Sequence, residues 1–431
     1  MKRWSIADLA KGTLLAVLYL LVARLGLQIH AINNFATLVW PPTGLSLVAM
    51  LLMGPRFWPS IAVGALVANL WTGASAPVAL GIAAGNTLEA VLGAYLLRRI
   101  PGFRVSLDRL VDAIGLIGFA AVLSSIVSAT VGVSSLILGG IIPPDRFAMT
   151  WRAWWLGDAI GDLILAPLLL TWGFAPKKFG SPRRRWEAVV LGILLALMSV
   201  SVFEIAQRAP GALLAPLLVW AAVRFEQQGA AGAMFLVSSI AIWATVRGHG
   251  PFGVGTIEES TIEESLFRLQ AFMALNAGTF LVLGAVTSER RRAQEEAEAA
   301  NRSKDRFLAA LSHELRTPLM PVLALSSLLE NDLTLPAETR RQLEVVRRNT
   351  ELEARLIDDL LDLTRIEKGK LRIELEPVAL DEALDHVVEI CREHIAAKGL
   401  ALEREGPAAG TMILADTARL RQVLWNLVEN A

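Results

Sequence analysis

A mostly α-helical chain is predicted: a polytopic membrane bundle first, then a long helix, a two-helix hairpin and a short α/β segment. Three features carry that prediction. Up to about Thr287 the sequence is a succession of long apolar stretches rich in Gly, Ala, Leu and Trp. From Ser288 it turns charged and poor in aromatics, with apolar residues at helical spacing. From about Leu371 the pattern shortens to strands and helix. With 54% hydrophobic residues over 431 and a mean hydropathy of +0.49, an ordinary soluble multidomain protein is excluded. A single cysteine, Cys391, excludes an internal disulfide and leaves no CxxC metal spacing, so it reads as a packing residue.

The N-terminal MKRWSIADLAKG resembles the basic end of a signal peptide, but about twenty apolar residues follow without a small-residue cleavage pattern, so a retained first membrane helix is expected. A bilayer core of about 30 Å needs roughly 17 to 25 apolar residues per helix. Ten stretches approach that length, near 12–30, 38–53, 58–72, 77–97, 110–138, 154–174, 187–205, 211–224, 229–246 and 266–287, the third and eighth being short. Ten spans put both termini in the cytoplasm. The inner loops then hold the basic clusters around Arg56, Arg98 to Arg109, Lys177 to Arg185, Arg224 and Arg290 to Arg292, as the positive-inside rule requires. The formal net charge is +0, and this clustering reports membrane topology rather than a nucleic-acid partner.

Polar residues within the apolar half are few: Asn69, Asn86 with Glu89, Asp158 with Asp162, and Glu204. A carboxylate in hydrocarbon costs about 2.5 kcal/mol or more, so these side chains are expected to face the bundle interior and find partners. Asn86, Glu89, Asp158 and Asp162 are candidates for a ligand or proton site. The bonding reading, helix-to-helix hydrogen bonds with Gly157 and Gly161 permitting close approach, is the one favoured from sequence.

The stretches LVWPPTGLSLVAMLLMGPRFWPSIAVGALVANL, GNTLEAVLGAYLLRR and WWLGDAIGDLILAPLLL resemble the membrane-associated sensor (MASE) domain, first type, of bacterial signalling proteins, over roughly residues 12 to 287. The resemblance implies an integral input domain attached to a histidine kinase or a diguanylate cyclase. No GGDEF or EAL string follows, which favours the kinase.

Between Gly284 and Pro318 there is neither Gly nor Pro, so the last membrane helix is expected to run on through a linker at 288–300. Val286, Ala293, Ala300 and Phe307 recur every seven residues, with Leu311 continuing the seam, as in helices that pair. Two amphipathic helices follow near 301–332 and 337–366, and such a hairpin buries its stripes best as a dimeric four-helix bundle.

The string LSHELRTP at 311–318 places His313 on an exposed helix face, with Glu314 beside it and Thr317 one turn on. A neutral imidazole is a competent nucleophile at physiological pH. Glu314 is placed to take or orient the other ring proton, and Thr317 to orient a water for the reverse hydrolysis. Pro318 removes a helix hydrogen bond just below the site.

This string resembles the H box of the HisKA dimerisation and phosphoacceptor family, and the resemblance covers about 301–370. It implies that His313 attacks the γ-phosphate of ATP, assisted by Glu314. The phosphoryl group then passes to an aspartate on a response-regulator receiver domain, whose docking surface includes Arg316 and Thr317. Residues 371–431, closing on RLRQVLWNLVENA, resemble the N box of the kinase ATP-binding domain. There Asn430 matches the Mg2+ ligand, Asn426 lies beside the phosphates, and Glu429 is a weaker match. The chain stops at Ala431, before the Asp-rich and Gly-rich boxes, so an incomplete ATP-binding domain is expected. The whole reads as a homodimeric, multi-pass sensor kinase of the bacterial inner membrane. Two alternatives are a kinase-dead phosphotransfer protein that receives phosphate from a partner, and a transporter or channel with a helical assembly tail.

Overall fold

Apolar stretches become helices because hydrocarbon offers the backbone no water to bond, and only internal bonding satisfies every N–H and C=O. The computed structural model describes residues 5–28, 31–32, 36–174, 181–205, 211–253, 262–332, 334–367, 373–397, 399–401, 403 and 410–430. Two units divide the chain, Met1–Glu296 and Ala297–Ala431.

In the first unit, α1 (Ile6–Gln28) leads through a short antiparallel hairpin, β1 (Ala31–Ile32) and β2 (Ala36–Thr37), to α2 (Pro41–Met53) and α3 (Trp58–Trp71). Then come α4 (Ala76–Arg98) and α5 (Leu110–Gly115), which passes through a π-helical stretch, Leu116–Ser124, into α6 (Ser125–Leu138). Next are α7 (Phe147–Gly173), α8 (Pro182–Val200) and α9 (Ala215–Val246). The helix α10 (Ile262–Glu330) follows.

Among the described residues, seven helical stretches are long and apolar enough to cross a membrane. All ten apolar stretches named from sequence fall largely on helix, and the difference in number has local causes. The helices α2 and α3 have 13 and 14 residues, below the spanning length. The eighth and ninth stretches lie on one helical run, Gly211–Val246, broken at Glu226, where φ is 56° and ψ is −140°. The run begun by the last apolar stretch does continue, without interruption, as far as Glu330.

Two sequence motifs interlock at the heart of this unit. Trp40 N–H, just ahead of α2, donates to the carbonyl of Gly157 in α7 at 2.9 Å. A Cβ on Gly161 would stand 2.3 Å from the Trp40 carbonyl oxygen, so only glycine lets the two backbones meet there. The WPPTG and GDxxGD strings are therefore two halves of one helix contact.

In the second unit the last part of α10 pairs with α11 (Ala337–Glu367), and Arg347 pins them by donating to Glu330 at 2.7 Å and to Glu351 at 2.8 Å. The turn between them is closed by Asp332, which accepts the N–H and hydroxyl of Thr334; those two bonds hold its carboxyl below the usual range. A second antiparallel hairpin, β3 (Glu376–Ala379) with β4 (Met412–Ala415), supports α12 (Leu380–Ala397) and α13 (Thr417–Asn430). Val378, Ala383, Val387 and Cys391 form its small core, which gives Cys391 the packing role expected.

Candidate functional site

His313 is exposed on α10, and so are Glu314, Arg316 and Thr317. The Thr317 hydroxyl donates to the His313 carbonyl at 2.7 Å, closing the turn that holds the imidazole's backbone. Its oxygen lone pairs remain available to a water. Helix α10 runs through Pro318 and Pro321, which cannot donate to the carbonyls of Glu314 and Thr317. The carbonyls of Glu314 and Thr317 thus lose their i+4 helix donors, one and four residues after the histidine. Phe307, Leu315, Val322 and Leu325 on α10, with Val346, Leu352 and Leu356 on α11, are all 40% or more exposed in the single chain. An apolar surface of that extent marks an association face.

Asn426 is exposed on α13, and Asn430 is the last residue of that helix; the side chains of Glu429 and Asn430 lie outside the described residues. Leu414 on β4 and Leu427 on α13 are 66% and 64% exposed. Two helices on a two-stranded hairpin with such open apolar residues do not enclose a nucleotide.

The polar residues singled out in the apolar half converge. Asn86 donates to the Tyr19 hydroxyl at 2.9 Å and accepts from Ser128 at 3.0 Å. Glu89 accepts from Ser125 at 2.6 Å, and Asp158 from Thr43 at 3.3 Å. Trp154 donates its indole N–H to Ser128 at 3.3 Å, which ties the Asn86 and Asp158 helices together. The Oδ2 of Asp158 and the Oδ1 of Asp162 are buried without a hydrogen-bond partner. Asn69, beside this group, donates to the Ala65 carbonyl, while Glu204 elsewhere accepts from His249 Nδ1 at 2.7 Å. Sequence reasoning missed Tyr19, Thr43, Ser125 and Ser128, because a lone hydroxyl in an apolar stretch gives no signal until its helix finds a neighbour.

A further set of contacts ties the start of the linker to the first unit. Glu289 accepts the N–H of Leu110 at 3.1 Å, Arg292 donates to Asp108 at 3.2 Å, and Arg291 donates to Glu226 at 3.1 Å. Beside them Arg109 and Asp112 pair at 2.6 Å, with the Asp112 side chain fully buried.

The chain is thus a helical membrane unit followed by a helical hairpin that carries an exposed histidine. Comparison with known proteins agrees in both parts: residues 12–291 match the MASE1 family, and 303–369 match the His Kinase A (phospho-acceptor) domain. The chain is 32% identical over 145 residues to the aerobic respiration control sensor protein ArcB of Escherichia coli, covering 33% of this chain and 18% of that protein. It is 34% identical over 140 residues to the autoinducer 2 sensor kinase/phosphatase LuxQ of Vibrio parahaemolyticus, covering 32% and 16%. The chain thus spans under a fifth of the length of these curated relatives. It belongs to the MASE1 family, in the sensor histidine kinase arrangement.

Proposed function

We propose that this chain carries the input and phosphoacceptor steps of a two-component sensor kinase. A signal received in the first unit controls transfer of the γ-phosphoryl group of ATP to His313, and from there to an aspartate on a response-regulator receiver domain. The observation that carries the proposal is the exposed His313 on a helix that begins within the membrane unit and continues unbroken to Glu330. Glu314 takes the role of acid–base partner, and Thr317 positions water in the reverse reaction.

ATP with Mg2+ is the donor that the family implies, and Asn426 and Asn430 are the residues carried over for it. The open apolar stripes of α10 and α11 support a homodimer whose four helices bury them. The basic residues at Arg98, Arg99, Arg104, Arg109, Arg224 and Arg290 to Arg292 support a bacterial inner-membrane location with both termini cytoplasmic, which needs an even number of crossings and so has the run broken at Glu226 enter and leave on one side. Asn86, Glu89, Asp158 and Asp162 are the sensor candidates within the membrane. The domain bounds follow the chemistry: 1–287 for input, 288–300 for the linker, 301–370 for dimerisation and phosphate acceptance, and 371–431 for the first part of the ATP-binding domain.

Membranes carrying this chain, mixed with an intact kinase core of the same family and labelled ATP, test the reading. Acid-labile, base-stable label is expected on the wild type and absent from His313→Gln. A wild type that takes up no label, under conditions where the core labels its own histidine, contradicts it.

A further inference from the structure

The acids of the membrane unit lack what a buried acid ordinarily has. Glu89, Asp158 and Asp162 are 2%, 1% and 1% exposed. Among the described residues no Lys, Arg or His forms an ion pair with any of the three. An unpaired charge at the centre of a membrane helix costs about 2.5 to 3.5 kcal/mol. Hydroxyls from Ser125 and Thr43 meet one oxygen each of Glu89 and Asp158, and the second Asp158 oxygen is left without a partner.

That residue lines a cavity of about 20 Å³ whose polar walls are Thr37, Asn69, Asn86 and Asp158, with Trp40 and Trp154 beside them. The volume is that of a single water-sized particle, for which about 10 to 15 Å³ suffices. We propose that this cavity binds one small monovalent cation of the size of Na+, held by Asp158 and adjoining amide and hydroxyl oxygens. The proposal deepens the reading of these residues as the membrane input site and is independent of the chemistry at His313.

Each competing ligand class fails on a specific feature. An organic cation exceeds the volume. An anion meets carboxylates. A transition metal wants imidazole or thiolate, and no three His, Cys, Asp or Glu side chains among the described residues converge for one. Ca2+ takes about six to eight oxygens, more than one carboxylate and its neighbours supply.

The output helix reaches residues beside the wall of the same cavity. Gln270 of α10 donates to the carbonyl of Leu38 at 3.1 Å and to that of Ala153 at 3.3 Å, the residues next to Thr37 and Trp154. An ion that draws Asp158 and the Thr37 segment together therefore bears on the Gln270 contact, and through it on α10.

The test is equilibrium binding of radiolabelled Na+ to the full chain in nanodiscs, competed with unlabelled Na+ and with choline. Saturable binding displaced by Na+ and not by choline is expected, with affinity falling by about tenfold or more in Asp158→Asn. Asn69→Ala guards against misfolding of that variant, and it is expected to weaken binding severalfold while gel filtration and circular dichroism stay unchanged. Absence of saturable binding to folded wild type, as for a site that holds only a proton, overturns the proposal. Unchanged affinity in whichever of the two variants folds also overturns it. Labelling of His313 plays no part in the readout, so failure here leaves the phosphoacceptor reading standing.

Discussion

Arg291 places its Nη1 3.1 Å from Oε1 of Glu226, a side chain 1% exposed at a residue whose backbone φ is 56°. A non-glycine residue in that conformation costs about 1 to 3 kcal/mol, and the surroundings must hold it there. The ion pair is the evident holder, and it joins the break in α9 to the point where α10 becomes the linker.

Glu226→Gln and Glu226→Gly separate the two effects. Both take the Glu226 carboxylate away from Arg291, which keeps Glu295 at 2.9 Å, and are expected to alter basal labelling of His313 by a kinase core. The lost pair costs about 1 to 3 kcal/mol, less than a fully buried one because Arg291 is 45% exposed. Glycine also relieves the backbone, so the Gly variant should melt at a higher temperature than the Gln variant in detergent. Equal melting temperatures would remove strain from the account.

Gly161→Ala puts a methyl 2.3 Å from the Trp40 carbonyl, a backbone atom that cannot swing aside. Destabilisation of at least about 1 to 3 kcal/mol is expected, read as loss of the monodisperse peak in size-exclusion chromatography. Gly192→Ala is the control, since a Cβ there has no neighbour within 4 Å.

Phe307 and Leu315 are 64% and 44% exposed on α10. Replacing both by Glu puts charge into the proposed dimer face and is expected to reduce crosslinking of the full chain by about tenfold or more, with helix content unchanged. Undiminished crosslinking would place the dimer contact elsewhere.

Asp416 gives a pH dependence. Its carboxylate accepts N–H groups from Arg419, Glu374 and Ala418, and these bonds, that of Arg419 foremost, hold the carboxyl below its usual range. A depressed folded-state value contributes stability that is present above the unfolded pKa of about 3.9 and lost as pH falls through the folded value. Hydrogen exchange of the α13 amides should therefore be faster in Asp416→Asn than in wild type near neutral pH. The gap should begin to narrow below about pH 4 and close only once pH has fallen through the folded value, where the wild-type carboxylate also loses its charge. A gap that persists there would mean the side chain acts by packing.

What the sequence disclosed was local. His313, Glu314, Thr317 and Pro318 sit within one short string, so their placement on one helix was legible from spacing. The apolar stretches announced helices, and the third, on α3, already read as short; hydropathy reports composition rather than length, so it did not separate the short α2 from a full span. The π-helical stretch at Leu116–Ser124 has no compositional mark. At the Phe225 to Gly229 segment the polar residues signalled a break, yet positive φ falls on Glu226 rather than on the nearby glycine, against intrinsic preference. Tyr19 with Asn86, Ser125 with Glu89 and Arg291 with Glu226 are far apart in the chain, and only the packed helices bring them together.

The most direct measurement is mass-spectrometric mapping of the phosphate after the chain is incubated with labelled ATP and an intact kinase core, using fragmentation at neutral or basic pH to spare a phosphoramidate. Phosphate is expected on the imidazole of His313. Phosphate on Ser312, Thr317 or His386, with His313 unmodified, would contradict it.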